Sequence, residues 1–133
     1  MTVVLDCSAA IEIVLKRENG KQLGELVGAA EKTVSSELFR IEVANVVSKY
    51  YRGNYIKKSE CDKIVEFAEN LVDEFIPIEE NHLEAMHEAI RLCHSAYDML
   101  YLTLARRIGA TLVTLDRRLN AIAEKEGIGT VHV

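Results

Sequence analysis

Four acidic side chains, Asp6, Glu42, Asp98 and Asp116, have the types and positions to hold a hard cation together. Asp6 directly follows the β-branched-rich run Val3-Val4-Leu5, and Asp116 follows Thr111 to Leu115, so both are expected at the carboxyl ends of strands. In open parallel sheets, ligand sites form in the crevice just outside those ends. Asp98 opens the helix that feeds the second of these strands, while Glu42 lies on the border of an apolar helical arc, one turn from Leu38 and Val46. All four are oxygen donors with no thiolate or imidazole between them, a set that suits Mg²⁺ or Mn²⁺ better than zinc. Each also has a local reading. Asp6 and Asp116 can be helix N-caps, Ser95-Ala96-Tyr97-Asp98 matches a capping box, and Glu42 can be a solvated surface charge. Spacing alone leaves both readings open.

A second cluster, His82, His87 and His94, lies on or near one helix, but it lacks HExxH spacing and any cysteine pairing beyond Cys93. Imidazoles on helix surfaces are ordinary, so this cluster ranks well below the acids as a site. Arg117 and Arg118, next to Asp116, are placed either to meet phosphates or to be solvated.

The elements that must position these residues alternate between strand and helix. Val3 to Leu5 reads as a strand, and Ser8 is placed to cap a helix carrying Ile11, Val14 and Leu15. A weakly periodic helix after Gly20 carries Leu23, Leu26, Val27 and Ala30, and a short strand follows around Thr33-Val34. The longest helix, with Phe39, Val43, Val46, Val47 and Tyr50, runs to Gly53. The next opens on a Ser59/Asp62 capping pattern and carries Cys61, Ile64, Val65, Ala68, Leu71 and Val72. Phe75-Ile76 reads as a strand, and Asn81 with Glu84 is placed to cap a helix whose apolar stripe is Leu83, Met86, Ile90 and Cys93. A helix from Ala96 carries Leu100, Tyr101, Leu104, Ala105 and Ile108, and Gly109 is a natural stop before the strand Thr111 to Leu115. A short helix with Leu119, Ile122 and Ala123 ends at Gly127, and Thr130 to Val133 reads as a last strand. Such alternation implies an α/β fold with a mostly parallel central sheet covered on both faces through right-handed crossovers.

Composition bounds the rest. A chain of 133 residues with 49% hydrophobic content, one proline (Pro77) and no linker-like stretch is expected to form one domain over residues 1–133. The segment before Asp6 is too short for a signal-peptide core, and no apolar run approaches the roughly 18 residues of a membrane span, so a cytoplasmic protein without membrane association is expected. Cys7, Cys61 and Cys93 form no CxxC pair, and all three are expected to be reduced core residues. The net charge of −5 argues against broad electrostatic capture of nucleic acid. A divalent cation held by the clustered acids would invert the sign that a phosphate meets locally.

Four segments go further: Val4-Leu5-Asp6-Cys7-Ser8, Glu42-Val43-Ala44-Asn45-Val46-Val47, Ala96 to Ala105 around Asp98, and Leu112 to Leu119 around Asp116. In this order, with Gly109 before the last acid, they resemble a PIN domain, and within that superfamily a VapC-type toxin of a toxin–antitoxin pair. The resemblance runs nearly the full chain. It departs at Ser35-Ser36, where a proline is common before the Glu-bearing helix, and at Cys7, a variable position.

The resemblance implies a three-layer α/β/α sandwich and an Mg²⁺-dependent endoribonuclease, with Mn²⁺ as substitute. Asp6 and Asp98 would be the most direct ligands, Glu42 and Asp116 closer or water-mediated ones, and Ser8, Asn45 and Thr114 supporting groups, with Arg117 near the RNA. The implied chemistry is attack of metal-activated water on a phosphodiester, leaving a 5′-phosphate and a 3′-hydroxyl. The implied partners are an RNA substrate and a cognate antitoxin. The apolar helix from Leu38 to Tyr51 adds a homodimer to these expectations. Three rivals rank lower. A receiver-like switch would want adjacent acids after the first strand and a lysine after the last, neither of which is present. A non-catalytic binding module has no need of all four acids, and a phosphatase or DNA-directed nuclease is the enzymatic alternative.

Overall fold

The computed structural model describes residues 1–133. The chain runs β1 (Thr2–Leu5), α1 (Cys7–Val14), α2 (Gly20–Ala29), β2 (Lys32–Ser36), α3 (Leu38–Arg52), α4 (Lys58–Asn70), β3 (Glu74–Ile76), a 3-10 turn (Ile78–Glu80), α5 (His82–Leu92), α6 (Ala96–Ile108), β4 (Thr111–Val113) and α7 (Arg117–Lys125). The four strands form one sheet in the order β3-β2-β1-β4, and every pairing is parallel. β1 lies between neighbours on both edges, which is why its Val3, Val4 and Leu5 are an unbroken apolar run and fully buried.

The strand order determines the layers. Steps from β1 to β2 to β3 move one way across the sheet and the step from β3 to β4 moves back, so right-handed crossovers lay α1 to α4 on one face and α5 with α6 on the other. The packing agrees: α1 touches α2, α3 and α4, while α6 pairs with α5 and lies along β1, β2 and β4. The direction of winding reverses between β1 and β4, and Asp6 and Asp116 leave the sheet there. A connected core of 30 buried residues, Phe39, Met99, Tyr101 and Leu102 among the largest, fills both interlayer spaces.

Several local expectations are corrected. Asp6, not Ser8, is the N-cap of α1, because the helix already starts at Cys7 and Ser8 lies within its first turn. The cap of α4 is Lys57, whose N–H is taken by Glu60, so Ser59 and Asp62 lie inside the helix. Asn81 stands at the cap of α5 but turns inward, donating to the Leu100 carbonyl at 3.0 Å and to the Thr103 hydroxyl at 2.9 Å, while Glu84 pairs with Arg106. The stripe Leu83, Met86, Ile90 and Cys93 faces solvent, since α5 meets α6 through Ala85, Ala89 and Leu92 instead. Cys93 is therefore not a core residue: it is exposed in the left-handed turn after α5, at φ 52°. Cys61 is half-buried and only Cys7 lies in the core. Thr130 to Val133 forms no strand, contributing only a single bridge between Thr130 and Leu112.

Two stops follow the sequence closely. Gly109 ends α6 at φ 65°, where a side chain would be strained. At the start of α3, where the resemblance lacked a proline, the Ser36 hydroxyl accepts from the Leu38 N–H at 3.2 Å and so occupies an otherwise free donor.

Candidate active site

Asp6 is the buried centre of the carboxyl edge, 6% exposed. Ser8 donates to its Oδ1 at 2.7 Å, the Ala9 N–H reaches the same oxygen at 3.0 Å, and Thr114 donates to Oδ2. The two hydroxyls are tied to β4 in turn: Ser8 accepts from the Leu115 N–H at 3.0 Å and Thr114 from the Asp116 N–H at 3.1 Å. Burial pushes the Asp6 carboxyl up to about 6 from its ordinary 3.8, against the pull of these hydrogen bonds and with a further push from the charge of Glu42. Adjacent Cys7 is driven up to about 12 by burial and by Glu42 and Asp6, which leaves it an unreactive thiol.

Glu42 reaches the same edge from α3. Tyr101 of α6 donates its hydroxyl to Glu42 Oε1, linking the helices of opposite layers across the top of the sheet. Burial raises the Glu42 pKa, the Tyr101 bond lowers it, and the charge of Asp98 raises it again. Asp98, in the first turn of α6, does not complete a capping box: Ser95 caps the Tyr97 N–H alone, while Asp98 Oδ2 meets His94 Nε2 at 2.8 Å. Asp116 is exposed and is the N-cap of α7, its Oδ1 accepting from the Arg118 and Leu119 N–H groups at 2.9 and 3.1 Å.

Electrostatics therefore couples three of the four acids, Asp6 to Glu42 and Glu42 to Asp98, while Asp116 is joined to Asp6 only through Thr114. None of the four forms an ion pair with Lys or Arg; the only cationic partner is His94, if protonated. No three His, Cys, Asp or Glu side chains stand close enough to hold a metal ion among them, and each of the four carboxylates is engaged by its own protein donor. The donor set nonetheless fits a divalent cation in its chemistry: four carboxylates with no fixed cation to offset them, in which the charge of Glu42 raises the pKa of Asp6 and that of Asp98 raises the pKa of Glu42.

Of the supporting residues expected from sequence, Ser8 and Thr114 touch Asp6 directly. Asn45 is exposed and lines a cavity of about 500 Å³ with Leu38, Ile41, Glu42 and Tyr97. Arg117 lines a separate crevice of about 490 Å³ with Asn19, Thr114 and Asn120. Tyr101 was not anticipated from sequence. Its signal was present, since a tyrosine buried in mid-helix needs a partner for its hydroxyl.

Residues 3–125 match the model of the PIN domain. The chain belongs to the PIN domain family. Its similarity to Ribonuclease VapC3 of Pyrobaculum aerophilum is 30% identity over 124 residues, 90% of this chain and 92% of that one. Among solved structures the fold resembles PAE2754 of the same organism, with a TM-score of 0.74 at 21% identity over 98% of this PIN domain and 90% of that chain. It also resembles VapBC2 of Rickettsia felis bound to a promoter DNA fragment, with a TM-score of 0.66 at 18% identity and 98% of each chain covered. VapBC-1 of nontypeable Haemophilus influenzae gives 0.67 at 14% identity, with 98% and 97% covered. The PIN match removes the receiver-like reading.

Proposed function

We propose that this PIN domain, acting as one unit over residues 1–133, is a divalent-metal-dependent endoribonuclease and the toxin of a VapBC-type toxin–antitoxin pair. The observation that carries this is the run of coupled carboxylates Asp6, Glu42 and Asp98 at the carboxyl edge, with no Lys or Arg to offset them. The similarity to Ribonuclease VapC3 supports RNA as substrate. Asp6 and Asp98 would hold Mg²⁺, or Mn²⁺ in its place, with Glu42 and Asp116 completing the site directly or through water. When bound, the ion supplies a Lewis acid that eases deprotonation of attacking water and neutralises charge on the phosphorus oxygens.

The chain's own groups do the remaining work. Ser8 and Thr114 fix Asp6, Tyr101 fixes Glu42, and the raised pKa of Glu42 suits it to accept a proton from the attacking water. Arg117 stands in the adjoining crevice, where a guanidinium can meet an RNA phosphate. An antitoxin segment fits the apolar groove between α3 and α4, lined by Ala44, Val47, Tyr51, Cys61 and Val65, and would direct an Arg or Lys at the acids. Exposed Ile41 and Tyr51 on α3 leave apolar surface for a homodimer. No helix is long and apolar enough to cross a membrane, and an RNA substrate with free thiols accords with the cytoplasm.

Purified protein freed of its partner is expected to cut structured RNA in Mg²⁺ or Mn²⁺ and to stop in EDTA. Equal cleavage in EDTA would contradict the proposal.

A further inference from the structure

The histidine cluster of the sequence does not assemble: His82 and His87 are exposed on α5, but the His94 side chain is only 6% exposed and points at an acid. Its position comes from the turn between α5 and α6. Cys93 takes a left-handed conformation, the His94 N–H closes back on the Ala89 carbonyl at 3.1 Å, and the ring is carried under the first turn of α6. There Nε2 lies 2.8 Å from Asp98 Oδ2. The turn is also tied to the helix behind Asp116, since Arg118 Nη2 donates to the Cys93 carbonyl at 3.3 Å.

An ionised carboxylate can only accept, so the proton of this bond belongs to Nε2. Nδ1 is buried and has no partner in the protein. The ring thus has one polar side-chain contact, Asp98, and retains it while leaving its other nitrogen unpaired. Burying an unpaired polar atom costs stability, and an apolar side chain of similar volume would avoid that cost. Packing alone gives no reason for an imidazole here, whereas Asp98 does: with Oδ2 occupied by Nε2–H, the carboxylate is held in one orientation and its other oxygen is left for a ligand.

We infer that His94 is a positioning residue, which orients Asp98 for the cation by donating Nε2–H to Oδ2. The inference rests on Asp98 being a metal ligand. Hydrogen-bonded supports of this kind alter metal affinity about 10- to 100-fold when removed.

The test is calorimetric titration of Mn²⁺ into the RNA-free, partner-free protein, with melting curves in EDTA, for wild type, His94→Leu, His94→Gln, His94→Asn and Asp98→Ala. His94→Leu should bind Mn²⁺ about 10- to 100-fold more weakly yet melt in EDTA at or above the wild-type temperature. His94→Gln, whose amide nitrogen can take the place of Nε2, should restore affinity to within a few-fold, and the shorter His94→Asn should not. If His94→Leu does not fold, the contrast between Gln and Asn tests the same atom. Wild-type affinity in His94→Leu, with binding lost in Asp98→Ala, would overturn the role of His94 and leave the metal site standing. Equal failure of Gln and Asn, with both melting like wild type, would also overturn it. Undiminished binding in Asp98→Ala would remove the metal reading of Asp98, and the inference with it.

Discussion

The ends of β1 and β4 solve the same local problem with the same residue and to different effect. Asp6 directly follows β1, Asp116 follows β4 after Thr114 and Leu115, and each caps the helix that comes next. Asp6 does so in the interior, with two hydroxyls and an N–H around it and a pKa near 6; Asp116 does so in solvent, on backbone N–H groups alone. A cap needs only an acceptor, and Asn serves as well as Asp. The extra hydroxyls on Asp6 and its burial beside Glu42 exceed what capping requires. Burial with like charge nearby is what distinguishes Asp6 from Asp116, although both cap a helix.

The largest expected effect sharpens that contrast. Asp6→Asn should reduce single-turnover RNA cleavage by at least about a hundredfold while leaving metal-free stability unchanged or higher, because a buried charge beside Glu42 is removed. Asp116→Asn should change metal-free stability by less than about 0.5 kcal/mol, since the cap is retained. A clear drop in the EDTA melting temperature of Asp6→Asn would show that the carboxylate charge is needed for the fold itself.

The next effect is a pH dependence of unusual sign. With a folded pKa near 6 against an ordinary 3.8, native Asp6 holds its proton where the unfolded chain has released it. Stability from this residue is therefore greatest below about pH 4 and is lost as pH rises to about 6, by an amount on the order of 3 kcal/mol. Denaturant melts in EDTA across that window should show the loss in wild type and in Asp116→Asn, and a flatter profile in Asp6→Asn. An equal slope in all three would assign the pH dependence to other groups.

Smaller still is Thr114→Val, which removes the donor to Asp6 and the acceptor for the Asp116 N–H. A loss of about 1–3 kcal/mol is expected in thermal melts, with Thr114→Ser close to wild type. Equal losses in Val and Ser would mean that the methyl, not the hydroxyl, is what matters.

The legible parts of the fold were those governed by period and strand-end logic. β1 is a short apolar run ended by Asp6, Gly109 stops a helix at a left-handed residue, and the parallel sheet follows from alternation of the elements, whereas β4 stops at Val113, short of the expected Leu115. Helix faces were less legible. The spacing of Leu83, Met86 and Ile90 marks a stripe but not what covers it, and the close approach of α5 to α6 uses the small side chains Ala85 and Ala89 instead. Capping signals failed where another bond competed: Asn81 turned to Thr103 on the neighbouring helix, and Asp98 to His94 four residues before it. At the candidate site, Asp6, Ser8 and Thr114 stand beside strand ends, where sequence can find them, while Glu42 and Asp98 lie on helices and were singled out chiefly by the family resemblance. Tyr101 and His94 were not legible, because a bond to Glu42 crosses two layers and the bond to Asp98 depends on a left-handed turn at a cysteine.

The central claim, that these carboxylates form a cation site rather than a set of caps, is tested most directly by melting wild type and Asp98→Asn in EDTA and in excess Mg²⁺. Wild type should be stabilised by Mg²⁺ through mass action. Asp98→Asn should melt in EDTA at or above wild type, as repulsion with Glu42 is relieved, and should lose most of the Mg²⁺ shift together with RNA cleavage. A variant that melts lower in EDTA, keeps the full Mg²⁺ shift and still cuts RNA would contradict the account.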